Sequence, residues 1–231
     1  MSDAVTTTVE DGVAVVRLDD GKANALSMSV ISQLHNALDT AAGQASAVCI
    51  VGNAKALSAG FDLSVMTGGA EGMVELVRSG GALLMRLYAH PQPTVAAVTG
   101  HALAAGALLV LVCDTRISGD GPAKIGLNEV AIGMTLPVFA VELARDRLSK
   151  RYFTRAAIEA EIFSPEGALA AGYIDRIVAA GECKRTAIEE ARRLGQLDGR
   201  AYAGTKLALR QATIDRIMPT LETATVTAAP D

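Results

Sequence analysis

The stretch HALAAGALLVLVCD, residues 101–114, decides how the chain is read. Residues 101–113 of it, with TVAAVTG before them, form an uncharged run of about twenty residues, near the length of a membrane span. Gly100 and His101 interrupt this run near its middle, and Asp114 and Arg116 follow it directly. The half before Gly100 has the pattern of a strand and the half after it that of a helix. We therefore predict a strand, a turn and a buried helix, with no membrane span.

The same order of elements recurs along the chain. A hairpin is predicted around Asp11-Gly12, helices at 29–41 and 71–90, and a buried strand in AVCIVGN at 47–53, with Gly43 ending the first helix. Amphipathic helices are predicted at 184–194 and 201–217. The fold class is therefore α/β. We expect one domain over 1–231, with an α/β core over about 1–180 and a helical C-terminal part over 181–231.

Composition excludes some function classes. Half of the residues are hydrophobic and the net charge is −4, so the chain lacks the basic excess of proteins that bind nucleic acid. The N-terminal segment has no basic start followed by an apolar block, which favours a cytoplasmic protein without a signal peptide.

Cysteines and histidines show no grouping that is typical of metal ligands. The isolated cysteines are expected to be reduced and buried. The cysteines are Cys49, Cys113 and Cys183, and the histidines are His35, His90 and His101.

Two turns share one design, in which a strand ends, small residues follow and an apolar helical segment begins. They lie at residues 58–62 and 100–106. The first amides of a helix lack intrahelical partners and lie at the positive end of its dipole, so such turns can bind an oxyanion or a phosphate. The alternative is that both are simply tight, well-packed turns.

Glu129 lies in the segment GLNEV, within an otherwise hydrophobic stretch. A carboxyl group in such surroundings can have a raised pKa and act as an acid or a base. Alternatively it caps a turn or pairs with an arginine. His101 has no GxSxG serine to work with, which disfavours a Ser-His-Asp hydrolase.

Together these segments resemble the enoyl-CoA hydratase/isomerase family, the crotonase superfamily. KALSAGFDLSVM and VTGHALAAGALLVLVCDTRIS resemble its two oxyanion-hole segments, and IGLNEVAIGM resembles the segment with its catalytic glutamate. GKANAL is similar to its CoA-lining segment, and SPEGALAAGYIDRIV resembles a later passage. The resemblance covers residues 13–178 and implies a crotonase-like spiral of ββα units.

The resemblance also implies roles for individual residues. It makes Glu129 the acid/base and the backbone amides of Phe61 and Ala105 the oxyanion donors, Ala105 standing where many relatives have glycine. It implies that no cofactor is permanently bound, since coenzyme A enters as part of the thioester substrate, and that the chain forms a homotrimer or a dimer of trimers. The residues implied in acyl-CoA binding are Lys22, Ala23, Ala25, Ser58, Phe61, Asp62, Leu63 and Ala105.

Some of these binding residues have simpler explanations. Lys22 is equally consistent with a solvated loop, and Asp62 with a helix N-cap. Lys206 could reach a CoA phosphate, although a solvated helix face is the expectation for it. Asp114 is expected to be structural.

Leu108 is a departure from the family pattern. Many hydratases carry a glutamate at this position, three residues after the second oxyanion donor. With Glu129 as the one family glutamate retained, the sequence favours isomerisation of a 3-enoyl-CoA to a 2-enoyl-CoA. The alternatives are a 2-enoyl-CoA hydratase and, in another class, an acyl-CoA-binding protein without catalytic activity. An RNA-binding role is disfavoured by the acidic charge.

Overall fold

The computed structural model describes residues 3–222, so the ends of the predicted domain, 1–2 and 223–231, lie outside the described residues. The strands are β1 Val5–Glu10, β2 Val13–Leu18, β3 Ala47–Val51, β4 Ala56–Ser58, β5 Thr94–Val98, β6 His101–Leu103, β7 Thr115–Gly119, β8 Ile125–Gly126 and β9 Arg176–Val178. The helices are α1 Met28–Gln44, α2 Leu63–Met66, α3 Ala70–Tyr88, α4 Ala105–Val112, α5 Val138–Arg147, α6 Phe153–Ala157, α7 Pro165–Ala171, α8 Cys183–Leu194 and α9 Gly199–Glu222. Two 3₁₀ turns lie at Val130–Ile132 and Ala180–Glu182.

A six-stranded sheet, ordered β1-β2-β3-β5-β7-β9, forms the centre of the fold. β1 and β2 are the predicted antiparallel hairpin, turned at Asp11 and Gly12, and every following neighbour is parallel. All residues of β3 and β5 are buried, as expected for parallel strands with helices on both faces. The predicted α/β class and helical C-terminal part are confirmed.

The predicted helices are present with small shifts at their ends. Ser27 caps α1, since its hydroxyl accepts a hydrogen bond from the Val30 amide. The prediction that Gly43 ends this helix is wrong, because α1 continues through Gln44. No helix within residues 3–222 is both long and apolar enough to cross a membrane, and the run at 94–113 is divided between β5, β6 and α4.

A second sheet, β4-β6-β8, has three parallel strands, and no sequence pattern predicted this sheet. Each of them follows a strand of the large sheet, since β4 comes after β3, β6 after β5 and β8 after β7. Carboxyl ends of parallel strands meet at one edge of a sheet. Consequently the three segments that leave this sheet, after Ser58, Leu103 and Gly126, are brought together.

Candidate active site

The first turn leaves β4 and is held by the segment around Leu26. The Leu26 amide donates to the Gly60 carbonyl at 2.8 Å, and the Asp62 amide donates to the Leu26 carbonyl at 3.3 Å. This parallel bridge directs the amide of the intervening Phe61 away from Leu26. Gly60 has a φ of +103°, a conformation that glycine adopts without steric cost.

The second turn joins β6 to α4. Ala104 takes a φ of +51° there, and its amide donates to the Gly126 carbonyl at 3.0 Å. Ala105, buried with its methyl group, is the first residue of α4. The left-handed backbone therefore belongs to Ala104 and not to Ala105, the residue that by the family resemblance stands where many relatives have glycine.

The two turns lie against each other. A Cβ atom on Gly60 would lie 3.5 Å from the Ala105 nitrogen, and one on Gly106 would lie 2.0 Å from the Ser58 carbonyl oxygen. Glycine at both places thus lets the start of α4 approach the first turn. Among residues 3–222, neither the Phe61 amide nor the Ala105 amide donates a hydrogen bond. Two free donors are available side by side at the positive end of α4.

Glu129 follows β8 and begins a 3₁₀ turn with its backbone. Its carbonyl accepts from the amides of Ile132 and Met134 at 3.1 and 2.9 Å. Its side-chain Oε2 is buried without a hydrogen-bond partner, and within the described chain it forms no ion pair. The alternatives of a side-chain cap and of an arginine pair are therefore not what the structure shows. Burial raises the pKa of Glu129 to about 7, against the smaller opposing effect of its own backbone amide.

Glu129, Phe61, Ala104 and Leu108 line one cavity of about 160 Å³. Asn128 and Thr135 are its other polar lining residues, and Leu108 forms part of its apolar wall. The remaining lining residues are apolar: Ala59, Leu63, Met66, Val77, Ile132, Met134, Pro137 and Phe139. Such a cavity suits an apolar chain that carries one reactive polar group.

A family model described as "Enoyl-CoA hydratase/isomerase" matches residues 8–225. The chain belongs to this family. Its members act on coenzyme A thioesters without a permanently bound cofactor. Within residues 3–222, no three histidine, cysteine, aspartate or glutamate side chains are grouped so that they could hold a metal ion.

Relatives in the enoyl-CoA hydratase/isomerase family carry names from both activities. Human mitochondrial enoyl-CoA delta isomerase 1 is 29% identical over 215 residues, which cover 90% of this chain and 70% of that protein. A putative enoyl-CoA hydratase of Thermus thermophilus is 36% identical, covering 81% of this chain and 75% of that protein. A Mycobacterium tuberculosis structure described as an enoyl-CoA isomerase superposes with a TM-score of 0.92 at 38% identity, covering 96% of this chain and 97% of that one.

The residues implied in acyl-CoA binding lie in and around the two turns. Lys22 and Ala23 are exposed, and Ala23 accepts a hydrogen bond from the Ala59 amide, so their segment borders the first turn. Leu63 is 65% exposed and lines the cavity. Ala25 is half-buried beside Leu26.

Two of these residues have mainly local roles in the structure. Ser58 is completely buried, and its hydroxyl accepts from the Gly60 amide at 3.2 Å. Asp62 caps α2 by accepting from the Ser64 amide. Asn24, which no sequence pattern singled out, is buried, and its side-chain amide donates to the Leu18 and Ala56 carbonyls and so holds the same segment in place.

Lys206 is neither solvated nor free to bind a phosphate, so the expectation of a solvated helix face is wrong. Its ammonium group is buried and donates to the carbonyls of His90 and Gln92, at 2.7 and 2.9 Å, and pairs with Asp114 at 2.6 Å. Asp114 also binds Arg210, at 2.9 Å. This buried cluster fixes α9 to the C-terminal end of α4, in keeping with a structural Asp114.

Proposed function

We propose that the protein is a 3-enoyl-CoA to 2-enoyl-CoA isomerase with Glu129 as its one acid/base group. The observation that carries this proposal is that the apolar Leu108 lines the same cavity as Glu129. Hydration is usually pictured with a water molecule held between two carboxylates, whereas migration of a double bond needs one group that removes a proton and returns it.

In the proposed reaction, the thioester oxygen accepts hydrogen bonds from the amides of Phe61 and Ala105. The ionised Glu129 carboxylate removes a proton from carbon 2, and the electron pair moves through the carbonyl carbon to the thioester oxygen, giving an enolate. The protonated carboxyl group then returns the proton to carbon 4. The electrons of the enolate form the double bond between carbons 2 and 3 as that between carbons 3 and 4 is lost.

The environment of each group supports its role. The two amides are fixed before substrate binds, and a preorganised oxyanion donor contributes about 10²–10³ in rate. A pKa of about 7 leaves Glu129 partly ionised near neutral pH, so it can both take and return a proton.

The proposal is tested with purified protein and 3-enoyl-CoA and 2-enoyl-CoA esters, with double-bond migration and water addition measured separately. We expect migration to be faster than hydration by about 100-fold or more, because the second carboxylate is missing. A Leu108→Glu variant supplies a carboxylate at that position, and we expect its ratio of hydration to migration to rise. Hydration by the wild type at a rate equal to or above that of migration would overturn the isomerase assignment in favour of the hydratase. Binding of the esters without either reaction would favour the non-catalytic acyl-CoA-binding protein.

The single-domain extent, the trimeric or hexameric assembly and the cytoplasmic location stay predictions.

A further inference from the structure

Two adjacent glycines, Gly80 and Gly81, lie in the buried middle of α3. Glycine in a helix interior costs about 0.5–1 kcal/mol relative to alanine, so a packing requirement is to be expected here. A Cβ atom on Gly80 would lie 2.2 Å from Cε1 of Phe61, and one on Gly81 would lie 3.0 Å from Cδ1 of Phe139. The helix surface is bare at these positions so that two aromatic rings can lie against its backbone.

Both rings line the cavity that contains Glu129, together with Val77 from the preceding turn of α3. Phe61 enters from the first turn and Phe139 from α5, and Leu221 of α9 packs on Gly81 from behind, with its Cδ2 atom 2.6 Å from the Cβ position of that glycine. Since Phe139 and Leu221 are buried, this wall is backed by protein. An acyl chain whose thioester oxygen is bound at the two amides would meet these rings.

The size of the cavity sets a limit on the acyl chain. An apolar cavity of about 150 Å³ accommodates a benzene molecule, which has about six carbon atoms, and the cavity here measures about 160 Å³. We propose that Phe61 and Phe139, placed by Gly80 and Gly81, restrict the enzyme to 3-enoyl-CoA esters with acyl chains of about six carbons. This inference rests on the proposed isomerase function.

The experiment measures kcat/KM for double-bond migration with 3-hexenoyl-CoA and 3-dodecenoyl-CoA. We expect the wild type to favour the hexenoyl ester by about tenfold or more, since hydrophobic pockets discriminate by about 10–200-fold per misfitting group. Phe61→Ala removes the ring and keeps the amide, so the ratio of dodecenoyl to hexenoyl activity should rise by about tenfold or more.

A double-mutant comparison tests the contact between the Phe61 ring and Gly80. Gly80→Ala displaces the Phe61 ring and is expected to lower hexenoyl activity by about tenfold, whereas Phe61→Ala/Gly80→Ala should match Phe61→Ala, because the new methyl group then meets no ring. Gly72→Ala is the matched control on the same helix, since its Cβ would make only an ordinary 3.6 Å contact with Val65, and its chain-length profile should equal that of the wild type.

The outcomes separate this inference from the proposed function. If the wild type isomerised both esters with equal kcat/KM and Glu129→Gln lost this activity, the chain-length limit would be overturned. The proposed isomerase function would not be affected. No migration of either ester would overturn the isomerase and this inference with it. If Phe61→Ala were inactive with both esters, Phe139→Ala would give the same comparison without touching a donor residue, and an unchanged ratio in that variant would overturn the inference.

Discussion

Glu129 shows how one residue combines reactivity with a cost in stability. Its Oε2 atom is buried without a partner, and the resulting desolvation raises its pKa from 4.5 to about 7. A hydrogen-bond donor at this place would stabilise the carboxylate and make it a weaker base. The same missing partner therefore explains both the proposed basicity and a penalty for folding with the charged group.

The sign of this penalty predicts how stability depends on pH. Because the folded-state pKa is raised, the folded protein holds the proton more tightly than the unfolded chain, and the free energy of unfolding falls as pH rises from about 4.5 to about 7. Glu129→Gln should remove this dependence. In urea unfolding at pH 8, its free energy of unfolding should exceed that of the wild type by about 2 kcal/mol, with a much smaller gain at pH 4.5. An equal effect at both pH values would contradict the assignment of the shift to Glu129.

Ala104 has a left-handed φ of +51° that costs about 1 kcal/mol or more in a residue with a side chain. We expect Ala104→Gly to raise the free energy of unfolding by about 1 kcal/mol. Ala107→Gly, inside α4, serves as the control and should lower it by about the same amount. Urea unfolding of both variants gives the two signs, and destabilisation by Ala104→Gly would show that no strain is stored at this turn.

The helices and the long strands were accessible from the sequence, and the small sheet was not. Apolar residues at helical spacing predict α1, α3 and α8, and short continuous apolar runs predict β3 and β5. β4, β6 and β8 contain two or three residues each, too few for a periodic pattern. The site segments were found because the family resemblance places them, but the strands that bring them together were invisible.

The burial of Lys206 was likewise not predictable from the sequence. On a mixed-charge helix a lysine is normally exposed. Nothing in the sequence of α9 indicates that Lys206 pairs with Asp114, which lies far away in the chain at the end of α4. The charge pair becomes visible only when the two helices are in place, with both side chains nearly buried.

The Asp114 cluster should contribute strongly to stability. Asp114→Asn leaves the buried cations of Lys206 and Arg210 without their carboxylate, and we expect a loss of about 3–5 kcal/mol in the free energy of unfolding. Asp39→Asn breaks an ion pair with Arg86 in which the aspartate side chain is 67% exposed, and it should cost about 1 kcal/mol or less. Equal losses in the two variants would show that the buried cluster stabilises the protein no more than an exposed ion pair.

The molecule as a whole is held by two apolar layers on the large sheet. α1, α3 and α4 contribute to one layer and α8 to the other. Cys49, Cys113 and Cys183 all lie within these layers, as the sequence predicted, and burial raises the pKa of each thiol. Their thiolates are therefore scarce and inaccessible in the folded protein.

Thiol labelling should consequently report global unfolding. We expect the three native cysteines to react with a thiol reagent only at the rate at which the protein opens, and addition of urea below the unfolding transition should leave them protected. A Leu209→Cys variant, at a position that is 77% exposed, provides a thiol that reacts at once. Rapid reaction of a native cysteine would mean that one of the layers opens locally.

The role of Glu129 is measured most directly by the kcat/KM for migration of the double bond of 3-hexenoyl-CoA in the wild type and in Glu129→Gln. The surface substitution Glu159→Gln serves as the control. With Glu129 as the single acid/base group, its replacement should lower kcat/KM by about 100-fold or more while the esters still bind, and the control should equal the wild type. Migration by Glu129→Gln at the wild-type rate would exclude Glu129 as the acid/base group.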